Sequence, residues 1–129
     1  MGLRLEDLDV YKIAMEIGDI VWSIVIKWEY FEKKTLGAQL VNAADSIALN
    51  ISGGYGRFHY KENKNFCYYS RGSAKETFTA VTKANSRKLI TNDEFEILKV
   101  KFNSYFRLIY RYINSIGYSP DNNKERLSV

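Results

Sequence analysis

Apolar residues recur at intervals of three and four along most of the chain, the spacing that places them on one side of an α-helix. The first stripe predicts a helix over residues 7–30, with acidic residues at its start that suit the positive end of a helix dipole. The sequence FEKKT, residues 31–35, is then interpreted as a short connection. The stripe consists of Ala14, Ile17, Val21, Ile24, Val25 and Trp28.

A second stripe ends at a cluster of glycines, and a third helix is predicted over residues 60–88. Small residues at Ala43 and Ala44 would let a neighbouring helix approach the second helix closely. The predicted buried face of the third helix mixes aromatic with small polar residues, which favours tight helix packing. The second stripe is Leu36, Leu40, Ala43, Ala44, Ile47 and Ile51, and the third is Phe66, Tyr69, Ser70, Ser73, Thr77, Ala80 and Ala84.

A fourth helix begins within the sequence LITNDEF. Thr91, followed three residues later by Glu94, has the pattern of a capping box, and Asn92 is a competing cap. Gly117 supplies a C-terminal stop. The stripe of this helix is Phe95, Leu98, Phe102, Tyr105, Phe106, Ile109, Ile113 and Ile116.

Four helices with short connections must fold back on one another. We therefore predict an all-α protein, an antiparallel up-down-up-down four-helix bundle over residues 1–117. Pro120 is the lone proline, so none interrupts the helices. Residues 118–129 have few apolar anchors and are predicted to form a flexible C-terminal tail.

Composition argues against several classes of protein. A chain of 129 residues has the size of one domain, and 46% hydrophobic residues argue against intrinsic disorder. The single cysteine, Cys67, cannot form an internal disulfide, which favours a reducing, cytoplasmic setting. No apolar run approaches the roughly 20 residues that a membrane-spanning helix needs. The acidic N-terminus also differs from a signal peptide.

Charge is distributed unevenly along the chain, although the net charge is only +4. Residues 1–32 hold three basic and seven acidic side chains, whereas residues 57–88 hold eight basic and two acidic ones. Residues 99–111 add four basic side chains and no acid. Such segments can produce a strongly basic surface on a molecule of modest total charge.

The glycine-rich sequence NISGGYGRFHYKENKNF, residues 50–66, raises the question of phosphate binding. Its spacing fits neither a P-loop nor a dinucleotide fingerprint, and it lacks the Lys-Ser/Thr pair and a preceding strand. The favoured interpretation is that Gly53, Gly54 and Gly56 end the second helix and turn the chain with positive φ.

Metal binding and catalysis find little support in the sequence. His59 and Cys67 lie two turns apart on the third helix, but zinc needs three or four ligands and no further pair supplies them. We interpret them as a surface histidine and a semi-buried thiol. With no second histidine, nucleophile elbow or paired acids, we expect no enzymatic activity and no cofactor.

Two polar residues lie beside apolar stripes, Asn50 on the second helix and Glu76 on the third. Each is either partly exposed, or caps a helix end or forms a buried hydrogen bond, because unpaired burial costs at least about 1–3 kcal/mol. Both interpretations stay open, and either would give Asn50 and Glu76 a structural role.

The third helix carries a basic stripe opposite its predicted buried face. Most charged faces are simply solvated, but basic residues interleaved with aromatic ones also suit phosphate contact and base stacking. The two interpretations stay open. The residues are Arg57, Lys61, Lys64, Arg71 and Lys75 as phosphate contacts and Tyr60 and Tyr68 as stacking side chains.

The sequence AADSIALNISGGYGR, followed by KENKNF and GSAKE, resembles the small bacterial four-helix bundle proteins encoded within intervening sequences of 23S rRNA genes. Those proteins typically read AA-x-SI-x-x-NI-x-EGYGR, then KE-x-x-x-F, then GS-x-x-E. The resemblance extends over nearly all of residues 5–116. Matching residues are Ala43, Ala44, Ser46, Ile47, Asn50, Ile51, Gly54, Tyr55, Gly56, Arg57, Lys61, Glu62, Phe66, Gly72, Ser73 and Glu76.

The resemblance implies a four-helix bundle, commonly assembled into a homopentamer and without established enzymatic activity. Relatives include accessory proteins of diversity-generating retroelements, which bind nucleic acid and a reverse transcriptase. Gly53 stands where the family usually has Glu, and Val41 and Asn42 stand where it often has two arginines. The missing arginines weaken the nucleic-acid inference and are also consistent with an apolar subunit contact on that face.

Two functional hypotheses follow. The first is a non-catalytic, oligomeric bundle that contacts structured RNA or DNA through the basic stripe. The second is a protein-interaction module that docks a polymerase or another subunit and does not bind nucleic acid directly.

Overall fold

Four long helices account for most of residues 4–117, the part of the chain that the computed structural model describes. Those residues contain no β-strand, so the prediction of an all-α fold is confirmed. The predicted tail at 118–129 lies outside the described residues. A 3₁₀ turn at Leu5–Asp7 precedes helix α1, Asp9–Val25; α2 runs through the segments Tyr30–Glu32, Lys33–Gly37 and Ala38–Gly54; α3 is Tyr60–Ser86 and α4 is Asn92–Ser115.

Each helix packs against two neighbours. Helix α2 lies between α1 and α3, and α4 closes the bundle by packing on α1 and α3. Short connections make consecutive helices antiparallel. Helix α4 also runs antiparallel to α1, because Glu16 pairs with Lys101 while Lys27, in the turn that follows α1, pairs with Glu94 at the start of α4. This arrangement is the predicted up-down-up-down four-helix bundle.

The first connection differs from the prediction. Helix α1 ends at Val25 and the chain turns at residues 26–29, whereas residues 31–35 are helical. Trp28 continues the apolar stripe, but its indole N–H donates to the Leu89 carbonyl at 2.8 Å, which holds it as a loop residue against the α3–α4 connection. Within α2 the Ala38 amide donates to the Lys33 carbonyl, five residues earlier, so Lys33–Gly37 forms a π-helical segment.

The buried face of α3 is rotated relative to the prediction. Small residues fill the interior, while Phe66 is only half-buried and Tyr69 is 59% exposed. The predicted stripe placed both aromatic residues on the buried face. The interior accepts the small ones because α2 and α4 approach α3 from two sides and leave room for little more than a methyl or hydroxyl group. The buried side chains of α3 are Cys67, Ser70, Ala74, Thr77, Ala80, Val81 and Ala84.

A buried hydrogen-bond chain joins three helices. The Ser70 hydroxyl donates to the Ile47 carbonyl of α2 at 2.8 Å, and the Tyr105 hydroxyl of α4 lies 2.6 Å from the Ser70 oxygen. Because the Ser70 hydroxyl donates its only proton to the Ile47 carbonyl, the Tyr105 hydroxyl is the donor to Ser70. Burial raises the pKa of Tyr105 well above its usual range, and the charge of Arg71 lowers it only in part.

Two of the three clustered glycines act differently from the prediction. Helix α2 ends at Gly54 as expected, but Gly53 and Gly54 have helical backbones and only Gly56 has a positive φ, 77°. A Cβ atom at Gly54 would lie 2.7 Å from the Cβ of Phe66, and one at Gly53 would lie 3.0 Å from the Phe66 ring. These glycines therefore let the start of α3 pack closely on the end of α2.

Both predicted ends of α4 are confirmed. The Thr91 hydroxyl accepts from the Glu94 amide at 3.0 Å, and the Glu94 carboxylate accepts from the Thr91 amide at 2.8 Å, which completes the capping box. Gly117 follows the helix with φ of 73°.

Candidate nucleic-acid interface

The predicted basic stripe forms a continuous edge of α3 beside α4. Lys61 and Lys75 are exposed, and Lys64 and Arg71 are half-buried. The ring of Phe78 packs against the Phe102 ring of α4, with 5.4 Å between the centroids. Phe78 follows Arg71 by seven residues and so lies on the same side of α3, which places this edge beside α4. The stripe thus lies in the shallow angle between two helices.

The charges of the stripe are not neutralised within the fold. Among residues 4–117, no carboxylate lies within 4.0 Å of Arg57, Lys61, Lys64, Arg71 or Lys75. By contrast, Lys101 of α4 pairs with Glu16 at 2.6 Å, and Lys99 with Glu96 at 3.6 Å. Four of these cations, Lys61, Lys64, Arg71 and Lys75, share one edge of α3 and produce a positive potential available to an anionic ligand.

Two arginines of the candidate interface are held in place by aromatic rings. The Arg71 guanidinium lies over the Tyr68 ring, 5.1 Å from its centroid, and that of Arg57 lies over Phe66 at 4.8 Å. Arg57 also donates through Nε to the Gly53 carbonyl at 2.8 Å. A guanidinium stacked in this way keeps its terminal N–H groups free for phosphate oxygens.

The two tyrosines predicted to stack on bases have other contacts. Tyr68 is 43% exposed, but Arg71 covers one face of its ring. Tyr60 is 60% exposed, and its ring lies close against Gly117, where an added Cβ would come within 2.7 Å of Tyr60 Cδ2. Each ring therefore offers one open face to a base.

An exposed aromatic residue that sequence reasoning missed lies beside the stripe. Tyr110 is 65% exposed and follows Phe102 by eight residues, so it lies on the side of α4 that faces α3. Because Ser70 lies opposite Tyr105 and the helices are antiparallel, Tyr110 is level with the stretch of α3 between Lys64 and Tyr68. Its position outside the apolar stripe of α4 is the sequence feature that indicates an exposed tyrosine.

The other polar candidates have structural or no evident roles. Cys67 is completely buried rather than semi-buried, and burial raises the pKa of its thiol to about 11. His59 is exposed, and residues 4–117 hold no cluster of three or more potential metal-binding side chains. Asn50 is half-buried and donates to the Ser46 carbonyl of its own helix at 2.9 Å, whereas Glu76 is exposed.

A second surface, the apolar groove between α1 and α2, contains Val41, one of the two departures from the family pattern. It continues past Asp19 and Asp45, and burial together with the neighbouring Asp19 raises the pKa of the Asp45 carboxyl. Four large apolar side chains along it are 44–66% exposed. These are Met15, Trp22, Ile26 and Leu49.

Comparisons with known proteins give one match. No helix of the described chain combines the length and apolar character needed to cross a membrane. A search of curated proteins finds no match. A family model described as 23S rRNA-intervening sequence protein matches residues 6–111.

Proposed function

The chain belongs to the 23S rRNA-intervening sequence protein family, and from that premise we propose that it is a non-catalytic, self-associating bundle that binds structured RNA through the basic stripe of α3. The observation that carries the proposal is the set of four cations on one edge of α3, Lys61, Lys64, Arg71 and Lys75, with no carboxylate within 4.0 Å among residues 4–117. The family's description makes ribosomal RNA the first ligand to test.

Binding in this proposal is mainly electrostatic. From Lys61 to Lys75 the stripe extends about 21 Å along the helix axis, at about 1.5 Å per residue. Lysines act as point charges toward phosphates, and Arg71, stacked on Tyr68, presents a fixed donor edge. Tyr110 lies beside Lys64 as an aromatic platform for an unpaired base.

The experiment compares two double variants with the same change in net charge. Lys64→Glu/Arg71→Glu reverses two unpaired cations of the stripe. Lys12→Glu/Lys27→Glu reverses one cation of α1, near Asp9, and one of the turn that follows it, near Glu94. Fluorescence anisotropy with an RNA hairpin should show loss of binding for the first and a much smaller change for the second. Binding should also weaken with salt, with a slope near −0.7 to −0.9 per phosphate contact. Equal weakening of both variants would show that net charge, and not the stripe, determines binding.

Self-association is proposed to use the apolar groove, with a second copy of the chain as its occupant. The groove combines exposed apolar side chains with Asp19 and Asp45, and the outward face of α4 offers the complementary pattern. There Val100 is 63% exposed, and among residues 4–117 Arg107 and Arg111 have no carboxylate within 4.0 Å. Two different surfaces that meet head to tail produce a ring when the rotation between copies closes, and a closed ring fits the pentamer that the family resemblance implies.

Light scattering tests the assembly. Trp22→Glu places a charge in the groove and should yield monomers, whereas Tyr69→Glu, at an equally exposed aromatic residue of α3, should leave the assembly intact. A wild-type monomer, or a Trp22→Glu protein of unchanged mass, would contradict this part of the proposal.

A second candidate function is a docking module for a protein partner, such as a reverse transcriptase, without direct RNA binding. The observation in its favour is the exposure of aromatic side chains at the two ends of the bundle, with Phe58 91% and Tyr30 75% exposed. It predicts a salt-resistant complex with the purified partner that Phe58→Ala disrupts, and no shift of RNA by the protein alone.

A further inference from the structure

A groove between α2 and α3, separate from the basic stripe, gathers cations from two facing helices. Lys34 of α2 lines it on one side, and Lys83 and Arg87 line it on the other. The groove encloses about 520 Å³. Buried Leu36 forms its floor, and the small side chain of Ala38 leaves its centre open.

The donors in this groove have no internal acceptor of opposite charge. Within residues 4–117 no carboxylate lies within 4.0 Å of Lys34, Lys83 or Arg87. Two carboxamides, Gln39 and Asn42, add neutral N–H donors along the α2 side.

An acidic residue lies beside one end of the groove. Glu76 lines an adjoining depression together with Gln39 and Lys83, one heptad before Lys83 on the same helix. The potential is therefore most positive toward Arg87, and an anion would lie at that end, between Arg87 and Lys34.

Cations in the last turn of a helix compensate the negative end of its dipole. That effect accounts for Lys83 and Arg87 near the end of α3. It does not account for Lys34 and Asn42, which face them from another helix. The groove also coincides with the π-helical segment Lys33–Gly37, an irregularity that is frequent at functional sites in helices.

We propose that the α2–α3 groove binds a phosphate group, with Arg87 as the bidentate donor and Lys34 and Lys83 as flanking charges. Guanidinium and ammonium groups from both sides, with carboxamide donors between them, match the several oxygens of a phosphate. The phosphate belongs either to a free phosphorylated molecule or to the backbone of a polynucleotide that extends beyond the basic stripe.

Inorganic pyrophosphate and an RNA hairpin distinguish these two sources. Either ligand that binds here should shift the backbone amide signals of Ala38, Gln39 and Asn42 in NMR spectra. Lys34→Ala should weaken pyrophosphate binding about tenfold, the loss expected for one charge-assisted hydrogen bond, and Arg87→Ala should weaken it more, because a bidentate donor loses two such bonds. Lys33→Ala is the matched control, because Lys33 is the preceding residue but lines the α1–α2 groove instead.

If only RNA shifts these amides, the source is a polynucleotide, and Lys34→Ala/Arg87→Ala should lower the salt slope by about 1.4, or about 0.7 per lost contact. Shifts by neither ligand, or equal weakening by Lys33→Ala and Lys34→Ala, would overturn the inference. The Lys64→Glu/Arg71→Glu protein should still bind pyrophosphate. A variant that no longer binds RNA through the stripe can therefore still show whether this groove binds a phosphate.

Discussion

The α1–α4 and α2–α3 pairs hold the same bundle together by different means. Lys101 of α4 pairs with Glu16 of α1 at 2.6 Å, and Lys27, in the turn that follows α1, pairs with Glu94 of α4 at 3.5 Å. Between α2 and α3, the described chain has no ion pair, and contact depends on close approach at Gly54 and on the hydrogen bond from Ser70 to α2.

The difference bears on function. Where α1 and α4 meet, acids across the contact pair with Lys27 and Lys101 and largely neutralise their charge. Helix α3 packs by small residues instead, and within residues 4–117 its cations on both edges have no carboxylate within 4.0 Å. The two proposed phosphate-binding surfaces therefore both involve α3.

The largest expected effect comes from filling the close approach of α2 and α3. Gly54→Val should destabilise the fold by about 3 kcal/mol, because the new Cβ would lie 2.7 Å from Phe66 Cβ and 2.7 Å from Asn63 Oδ1. Urea unfolding followed by circular dichroism measures the change. The control is Gly72→Ala, at an exposed position of α3 with no atom within 4 Å. It should stabilise the helix by about 0.5–1 kcal/mol, and a loss there would contradict this account.

Removing the polar bridge between α2, α3 and α4 should have the next largest effect. Ser70→Ala leaves the buried Tyr105 hydroxyl without its acceptor and should cost about 2 kcal/mol. Ser70→Ala/Tyr105→Phe removes both groups, so its unfolding free energy should fall by less than the sum of the single variants. Strict additivity would show that the two hydroxyls do not interact.

The buried thiol of α3 predicts a dependence on pH. Burial raises the Cys67 pKa from about 9.0 to about 11, so the folded protein holds the proton more tightly than the unfolded chain. The contribution is present in full below pH 9 and is lost as pH rises toward 11, at up to about 1.4 kcal/mol per pH unit. Cys67→Ala should reduce the slope of the unfolding free energy between pH 9 and 10, below the range in which the raised pKa of Tyr105 adds a slope of its own. An equal slope in both proteins would assign the effect to other groups.

Breaking the α1–α4 ion pair should have the smallest effect. Lys101→Ala removes a pair whose side chains are 34% and 51% exposed, so the expected loss is below about 1 kcal/mol and shrinks in high salt. Lys64→Ala, at an unpaired cation of α3, should leave the unfolding free energy nearly unchanged. A Lys64→Ala loss larger than that of Lys101→Ala would reverse the proposed contrast between the two helix pairs.

Much of the fold could be read from local pattern. The stripes of α2 and α4 are correct because large aliphatic and aromatic residues dominate them, and the capping box at Thr91 is a contact within one turn. The first turn was misplaced because Trp28 fits the helical period, while its partner, the Leu89 carbonyl, is 61 residues away in the chain. Such a partner leaves no trace in the local sequence.

The candidate interface was only partly predictable. Helical spacing placed Lys64, Arg71 and Tyr68 together, but not the stacking of Arg71 on Tyr68, which takes up one face of that ring. Tyr110 and the groove at Lys34 and Arg87 depend on which helices are neighbours and at what level. Those facts follow from packing between elements rather than from the spacing within one.

The sequence alone determined that the chain forms long helices, where three of them begin, and that basic residues concentrate on the third. These properties depend on neighbours within a few positions. Only the tertiary structure decided how α3 is rotated, and which cations meet a carboxylate and which remain unpaired. Burial and charge pairing depend on distances between helices, and a glycine such as Gly54 acquires its role only when Phe66 is brought against it.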